Sequence, residues 1–258
     1  MTEISDLPEH ELSTGARPTG TSTDERAAQS VQQMFDTIAP SYDKLNHILS
    51  AGIDRWWWWR AARNFRNVLG RPEAVVLDLC CGTGDMTMAL YKHRPKSAND
   101  APILALDFSH QMLSRGAQKF APHNILPIEA DALHLPLADN SVDLVTAAFG
   151  FRNLANYEEG LAELHRVLRP GGQIGILECN QPEGLTGALC SLYFTKILPK
   201  LGGIISGDSG AYSYLPASVA RFPRPPRMKQ LIAAAGFRDA QWTGYTFGTA
   251  GLYRATKS

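Results

Sequence analysis

Residues 77–85 read Leu-Asp-Leu-Cys-Cys-Gly-Thr-Gly-Asp, an apolar run that stops abruptly in a Gly-x-Gly turn with an acid on either side. Such a run reads as a buried parallel strand emptying into a ligand-binding loop. Gly82 and Gly84 remove side chains where the backbone must turn sharply and a ligand must come close, and Thr83 between them adds a small hydroxyl. Taken alone, Gly-x-Gly also fits an ordinary strand-to-helix turn.

The residues beyond the loop favour a nucleoside ligand. Ile103 to Leu106 is a second short apolar run ending in Asp107, about twenty residues past the glycines, the distance at which a neighbouring strand sets a carboxylate beside a ribose. A dinucleotide fingerprint needs a third glycine where the helix receives a pyrophosphate, and Thr87 stands there. The lysine of a phosphate-binding loop is absent too, since Asp85 and Met86 follow Gly84. An acid where a phosphate would approach favours an uncharged or cationic ligand. S-adenosylmethionine has no phosphate, carries a sulfonium and offers a ribose to Asp107. Its amino-acid end is expected against Gly82 to Gly84, with Asp78 or Asp85 near the ammonium. Ala130-Asp131-Ala132 follows a third apolar-ended run, Ile125 to Glu129, and sets a carboxylate where it can meet the adenine amino group. Ligands in open α/β sheets bind outside the carboxyl ends of the strands, where these loops gather.

The 258 residues suffice for one sizeable core, and their formal charge of zero argues against a protein built mainly to hold a nucleic-acid backbone. No run of about twenty apolar residues is present, so nothing spans a membrane. Residues 1–25 are rich in Ser, Thr, Glu, Pro and Gly and lack an apolar signal core, the composition of a disordered tail on a cytoplasmic protein. Cys80, Cys81, Cys179 and Cys190 do not have metal-ligand spacing and read as reduced packing residues, with Cys81 close enough to the loop to touch the ligand.

Residues 26–258 are expected to form a single domain. Its first part, 26–70, is a helical lid interrupted at Ala39-Pro40 and near Gly52. Strand-like runs at 74–79, 103–106, 125–129, 142–148 and 173–179 then alternate with helix-like segments at 85–92, 109–119 and 156–168. Two closing strands, 237–242 and 245–255, follow a helix at 226–235. This is the pattern of an α/β, doubly wound, mainly parallel seven-stranded sheet. Residues 181–225, Gly-rich and Pro-rich, break the rhythm and are expected to cap the cofactor face.

With these motifs in place, the chain resembles the class I S-adenosylmethionine-dependent methyltransferases and, within them, the menaquinone and ubiquinone biosynthesis C-methyltransferases. The resemblance runs from about residue 31 to the C-terminus. Its carriers are Phe35-Asp-Thr-Ile-Ala-Pro-Ser-Tyr-Asp43 with Asn46 and Arg55-Trp56, the glycine loop, Phe149-Gly-Phe-Arg-Asn153, Arg166-Val-Leu-Arg-Pro-Gly-Gly172, and Ala211-Tyr-Ser-Tyr-Leu-Pro216 with Phe222-Pro223. The glycine loop specifies the superfamily, and the other motifs the quinone branch. Ala148 stands where members often carry serine, and the four consecutive tryptophans, Trp56 to Trp59, depart from the usual Trp-Lys.

The resemblance implies methyl transfer from S-adenosylmethionine to a ring carbon of a demethylated, prenylated quinol. Thr83, Asp107, Asp131 and Ala132 are the cofactor contacts it carries over, beside Asp78, Gly82, Gly84 and Ala148 from the loop ends. Arg152, Asn153 and Tyr42 are the implied active-site residues. A phenolate ortho to the reacting carbon needs stabilising, a task suited to Arg152, with Asn153 orienting the oxygen and Tyr42 passing the proton. Asp43, His47 and His134 are alternative acceptors. The prenyl tail resides in a membrane. Trp56 to Trp59 with Arg60, Arg63 and Arg66 suit peripheral contact at its inner face, or alternatively a lid or homodimer contact. Nucleic acid is not an expected partner, because the loop after the fourth strand lacks the Asp/Asn-Pro-Pro-aromatic pattern of enzymes that methylate base amino groups. Two further readings stay open: methylation of another small molecule, and a non-catalytic cofactor-binding partner in a quinone-synthesis complex.

Overall fold

The computed structural model describes residues 14–40, 42, 50, 52–97, 100–182, 184, 187 and 210–258. The central strands form because their residues are apolar without alternation, which suits a sheet covered on both faces. All four residues of β1 (Val76–Leu79) are buried, as are six of the seven in β4 (Val142–Ala148). With β2 (Ile103–Asp107), β3 (Ile125–Glu129), β5 (Leu168–Cys179), β6 (Phe237–Tyr245) and β7 (Ala250–Lys257) they make one sheet of order β3-β2-β1-β4-β5-β7-β6. The pairs from β3 to β5 are parallel, and β7 runs antiparallel between β5 and β6. This is the expected doubly wound, mainly parallel seven-stranded α/β fold.

Helices cover both faces. Those that can be read start to end are α1 (Asp24–Ile38), α2 (Asp54–Arg63), the single turn α3 (Arg66–Leu69), α4 (Asp85–His93), α5 (His110–Phe120) and α6 (Tyr157–Val167). Within the last part of the expected cap lies α7 (Gly210–Arg221), followed by α8 (Pro225–Ala234). Side-chain caps set three of the starts: Thr23 accepts from the Arg26 N–H, Ser109 from Met112 and Asn156 from Glu159, each satisfying an orphan donor of the first turn. One core cluster joins α6 and α8 to one face of the sheet through Leu77, Val145, Leu161 and Tyr253. The other joins α2, α4 and α5 to the opposite face through Ala61, Phe65, Leu90 and Phe120.

Two expectations are corrected. The tail assigned to residues 1–25 ends sooner: Thr14 to Arg17 lie along the segment before α6, with the Ala16 N–H donating to Leu154 O at 2.7 Å and the Tyr157 N–H to Thr14 O at 2.7 Å. Ala16 is buried there, and the Arg17 guanidinium donates to Ala155 O and pairs with Asp24, so a polar composition is offset by backbone pairing. Residues 1–13 lie outside the described residues. The Arg169-Pro-Gly-Gly172 segment, left between the helix expected at 156–168 and the strand expected at 173–179, is already part of β5: Leu168 pairs with Val142, and the register shifts by a bulge before Leu144 and Gln173. Most of the expected cap over 181–225 also lies outside the described residues, as do Asp43 and His47.

Candidate active site

The strand order reverses between β1 and β4, and the loops leaving β1, β2, β3 and β4 gather there. Two of these exits are strained. Cys80, directly after β1, and Phe149, directly after β4, hold left-handed backbones at φ 51° and 59°, a conformation that side-chain-bearing residues rarely keep away from functional sites. Gly150 fits against Cys80 only because it lacks a side chain: a Cβ there would sit 2.3 Å from the Cys80 Cβ. Gly84 needs its own freedom, at φ 89°, and a Cβ on it would meet the Phe120 ring at 2.2 Å.

Asp78 and Asp107 look alike in sequence and do different things. Asp78 is fully buried within β1, where its carboxylate accepts from Thr87 Oγ1 at 2.6 Å and Thr146 Oγ1 at 2.8 Å. It lies behind the loop, tying α4 and β4 to β1, and is not among the residues that line the cavity. Burial pushes its carboxyl from 3.8 up to about 7, against the pull of the two threonine hydroxyls. A carboxyl raised in the fold holds its proton there after the unfolded chain has lost its own, so its contribution to stability falls as the pH rises from 3.8 towards 7. Asp78→Asn should therefore flatten the pH dependence of unfolding free energy across that window. Urea titrations at several pH values read it, and an unchanged slope would remove the assignment.

Asp107, the last residue of β2, reaches past the sheet. Its oxygens accept from the Gly82 N–H at 2.8 Å and the Ser109 N–H at 2.9 Å. Burial raises its carboxyl to about 6, opposed by those backbone donors. The same loop binds α1: Gln32 Nε2 donates to Phe108 O at 2.7 Å, and Ser109 Oγ to Asp36 Oδ1 at 2.5 Å. The helical lid is thus fastened to the two residues that follow Asp107.

A concave pocket opens here. Gly82, Asp107, Asp131, Ala132, Ala148, Asn153 and Tyr42 all line it, so seven residues singled out from the sequence converge. Asp131 is half exposed, its Oδ1 accepting the Leu133 N–H at 2.9 Å. His134, 3.6 Å from Asp131, is exposed and outside the cavity lining. Thr83 is not among the residues that line the cavity; it is buried at a second pocket that Pro40 and Gln111 also line. Asp85 pairs with Lys119 at 3.0 Å. Cys80, rather than Cys81, reaches the wall, and burial holds its thiol well above the usual range, so it stays protonated.

Arg152 is also placed differently from expectation. It lies in the short 3-10 turn Phe151–Asn153 and is 7 % exposed. Its Nη1 donates to Glu178 Oε2 at 2.8 Å and to Phe149 O, while its N–H donates to Glu178 Oε1 at 3.0 Å. Burial by itself would lower the guanidinium pKa, but the Glu178 carboxylate outweighs it and the group is held more firmly protonated. Arg152 therefore sits one layer behind the wall, pinning the strained Phe149 turn. Its neighbour Asn153 faces the cavity and accepts from Tyr214 Oη at 3.0 Å. Burial pushes the Tyr214 phenol up to about 12. Tyr42 lies across the loop, its ring 3.8 Å from where a Gly82 Cβ would be and edge-on to Phe35.

Glu178 and Tyr214 were not singled out in sequence as site residues. Signals for both exist: Glu178 is an acid near the end of an apolar strand, as Asp78 and Asp107 are, and Tyr214 lies in the Tyr-x-Tyr-Leu-Pro motif.

Two carboxylates and no cationic side chain among the cavity-lining residues fit a ligand with positive charge and no phosphate, as S-adenosylmethionine is. The ubiE/COQ5 methyltransferase family model matches residues 21–257. A demethylmenaquinone methyltransferase of Deinococcus radiodurans is 46 % identical over 232 residues, covering 89 % of this chain and 93 % of that protein. One from Thermus thermophilus is 44 % identical, with 85 % and 98 % covered. The ubiquinone/menaquinone biosynthesis C-methyltransferase UbiE of Geotalea daltonii is 40 % identical, with 89 % and 97 % covered. Among solved structures, a SAM-dependent methyltransferase of Thermotoga maritima superposes with a TM-score of 0.63 at 18 % identity, covering 88 % of this chain and all of that one. The [4+2]-cyclase SpnF gives 0.65 at 17 %, covering 95 % and 98 %; at such identities the likeness is one of fold.

Proposed function

The chain belongs to the ubiE/COQ5 methyltransferase family, and from that premise we propose that it methylates a ring carbon of demethylmenaquinol, using S-adenosylmethionine. As the sequence resemblance implied, it is an S-adenosylmethionine-dependent methyltransferase of quinone biosynthesis. The observation that carries the choice of acceptor is the Asn153–Tyr214 pair beside the aromatic rings of Phe35, Tyr42 and Phe149: a hydrogen-bonding edge for a ring hydroxyl next to surfaces that suit a fused ring. The names of the Deinococcus and Thermus relatives support the naphthalene over the benzene ring.

S-adenosylmethionine supplies an electrophilic methyl group when bound. Asp107 is the residue to hold its ribose, and Asp131 with Ala132 its adenine edge. An aromatic carbon becomes nucleophilic when the adjacent hydroxyl loses its proton. Asn153 is suited to hold that oxygen, because the Tyr214 hydroxyl occupies the amide oxygen and turns the NH₂ to the cavity. Tyr42 is the side chain on the opposite side to take or relay the proton. Arg152 serves as a positioning residue, keeping the 149–153 turn in place through Glu178. Phe35 and Phe149 exclude water.

The test supplies purified protein with S-adenosylmethionine and reduced demethylmenaquinone, or the demethylated benzoquinol precursor, in separate detergent micelles, and follows methyl gain by mass spectrometry. Methylation of the naphthoquinol is expected. Methylation of the benzoquinol alone would move the protein to the ubiquinone branch, and no transfer to either with cofactor bound would overturn the reading.

A further inference from the structure

Four consecutive tryptophans on a helix point in four directions about 100° apart, so α2 cannot bury them all. Trp57 and Trp58 turn inward, while Trp56 and Trp59 remain 45 % and 41 % exposed. Phe247, in the turn between β6 and β7, is 88 % exposed and holds a left-handed backbone at φ 56°. That turn is fastened to α2: Trp57 Nε1 donates to Thr246 Oγ1 at 2.8 Å, and the Trp56 ring meets Tyr245 edge-on at 5.6 Å. Three of the four large apolar side chains exposed among the described residues thus belong to one neighbourhood; the fourth, Leu126, is on the sheet edge β3.

Charge surrounds this aromatic patch asymmetrically. The exposed positions from 55 to 71 include Arg55, Arg60, Arg63, Arg66 and Arg71 and no acid, on a chain with zero net charge. Among the described ion pairs only Arg71 of these has a carboxylate partner, Asp143, and Arg63 lies over the Trp59 ring at 5.2 Å. Trp57 ties the face to the site, its ring 5.7 Å from that of the cavity-lining Phe149.

We propose that the outward face of α2 and the Phe247 turn form the surface by which the protein docks on an anionic phospholipid bilayer. This rests on the reading of the acceptor as a prenyl quinol and names the face on which that acceptor is met. Amphipathic indoles and a projecting phenyl ring suit the boundary between headgroups and chains, and arginines without carboxylate partners suit lipid phosphates. A second copy of the chain is the poorer occupant, because a two-fold contact would set the same arginines against each other.

Co-sedimentation of the full chain with quinol-free vesicles, phosphatidylcholine alone or mixed with phosphatidylglycerol, tests it. Binding to the anionic vesicles is expected, weaker to phosphatidylcholine and reversed by salt. Phe247→Gly removes the ring while suiting the left-handed backbone, so it should keep the melting temperature and weaken binding about tenfold. Arg60→Gln and Arg63→Gln should each weaken it about fivefold. No vesicle binding, or binding indifferent to all three changes, would overturn the proposal. So would a lipid-free oligomer that Phe247→Gly converts to monomer in the ultracentrifuge, which would give the face to a second copy. Methyl transfer to a short-tailed quinol in detergent is followed on the same samples. Its retention by the variants supports a docking role, whereas a native chain that binds vesicles and transfers no methyl overturns the quinol reading and leaves the surface standing.

Discussion

Replacing Glu178 with alanine should lower the unfolding free energy by about 3–5 kcal/mol, because it strands the Arg152 guanidinium, whose ion-pair partner among the described residues is Glu178. Glu178 is completely buried and Arg152 nearly so, and the pair holds the ends of β4 and β5 together through three hydrogen bonds. Urea unfolding followed by tryptophan fluorescence gives the magnitude. The double variant Arg152→Met with Glu178→Leu should recover most of the loss, since two apolar side chains carry no desolvation penalty. If Glu178→Ala costs no more than a surface substitution, the ion pair is not what holds the 149–153 turn. Methyl transfer separates the two functions of this region: the double variant should fold, bind cofactor and still turn over slowly, because the turn would be held less exactly in register with the cavity.

Asn153→Ala should reduce kcat by about 10²-fold or more while leaving the dissociation constant for S-adenosylmethionine unchanged, the loss expected when one donor to a developing oxyanion is removed. Tyr214→Phe, which frees the amide oxygen without removing the amide, should cost about tenfold, as loss of one orienting hydrogen bond. Single-turnover rates with saturating cofactor distinguish chemistry from release, and calorimetry reads the affinity. Equal losses in affinity and rate would make Asn153 part of cofactor binding, and unchanged rates would exclude it from the reaction.

The elements that carry the site were legible because buried parallel strands leave continuous apolar runs and their exits leave glycine or an acid. What the chain does with those acids was not. Asp78 stands one residue before the end of β1, so its side chain still belongs to a sheet face covered by α4; Asp107 is the terminal residue of β2 and clears the sheet. A shift of one position separates an internal brace from a carboxylate that lines the cavity, and strand ends are not read to that precision from pattern alone. The Arg152–Glu178 pair joins residues 26 apart, and nothing local to either names the other. Arg152 therefore read as a free cation beside the cavity. Thr14 to Arg17 misled in the opposite sense, since Ser, Thr, Pro and Gly look solvated until backbone partners are known. Phe247 depends on tertiary position alone, and Tyr214, though it stands in the Tyr-x-Tyr-Leu-Pro motif, meets Asn153 only through the segment that lies next to it.

The antiparallel insertion of β7 between β5 and β6 also governs how the chain can assemble as it is made. β5 pairs with β7, not with β6, so when Cys179 leaves the ribosome the open edge of β5 has no native partner until residues from Ala250 onward have followed. At ordinary synthesis speeds that interval lasts on the order of 4–14 s, long compared with the microseconds in which hairpins form. During it, a long strand with apolar residues such as Ile174, Ile176 and Leu177 presents unpaired backbone to the cell. Newly made protein is thus most vulnerable to misassociation late in translation, and slowing elongation between these two strands should lower the soluble yield more than slowing it before β4.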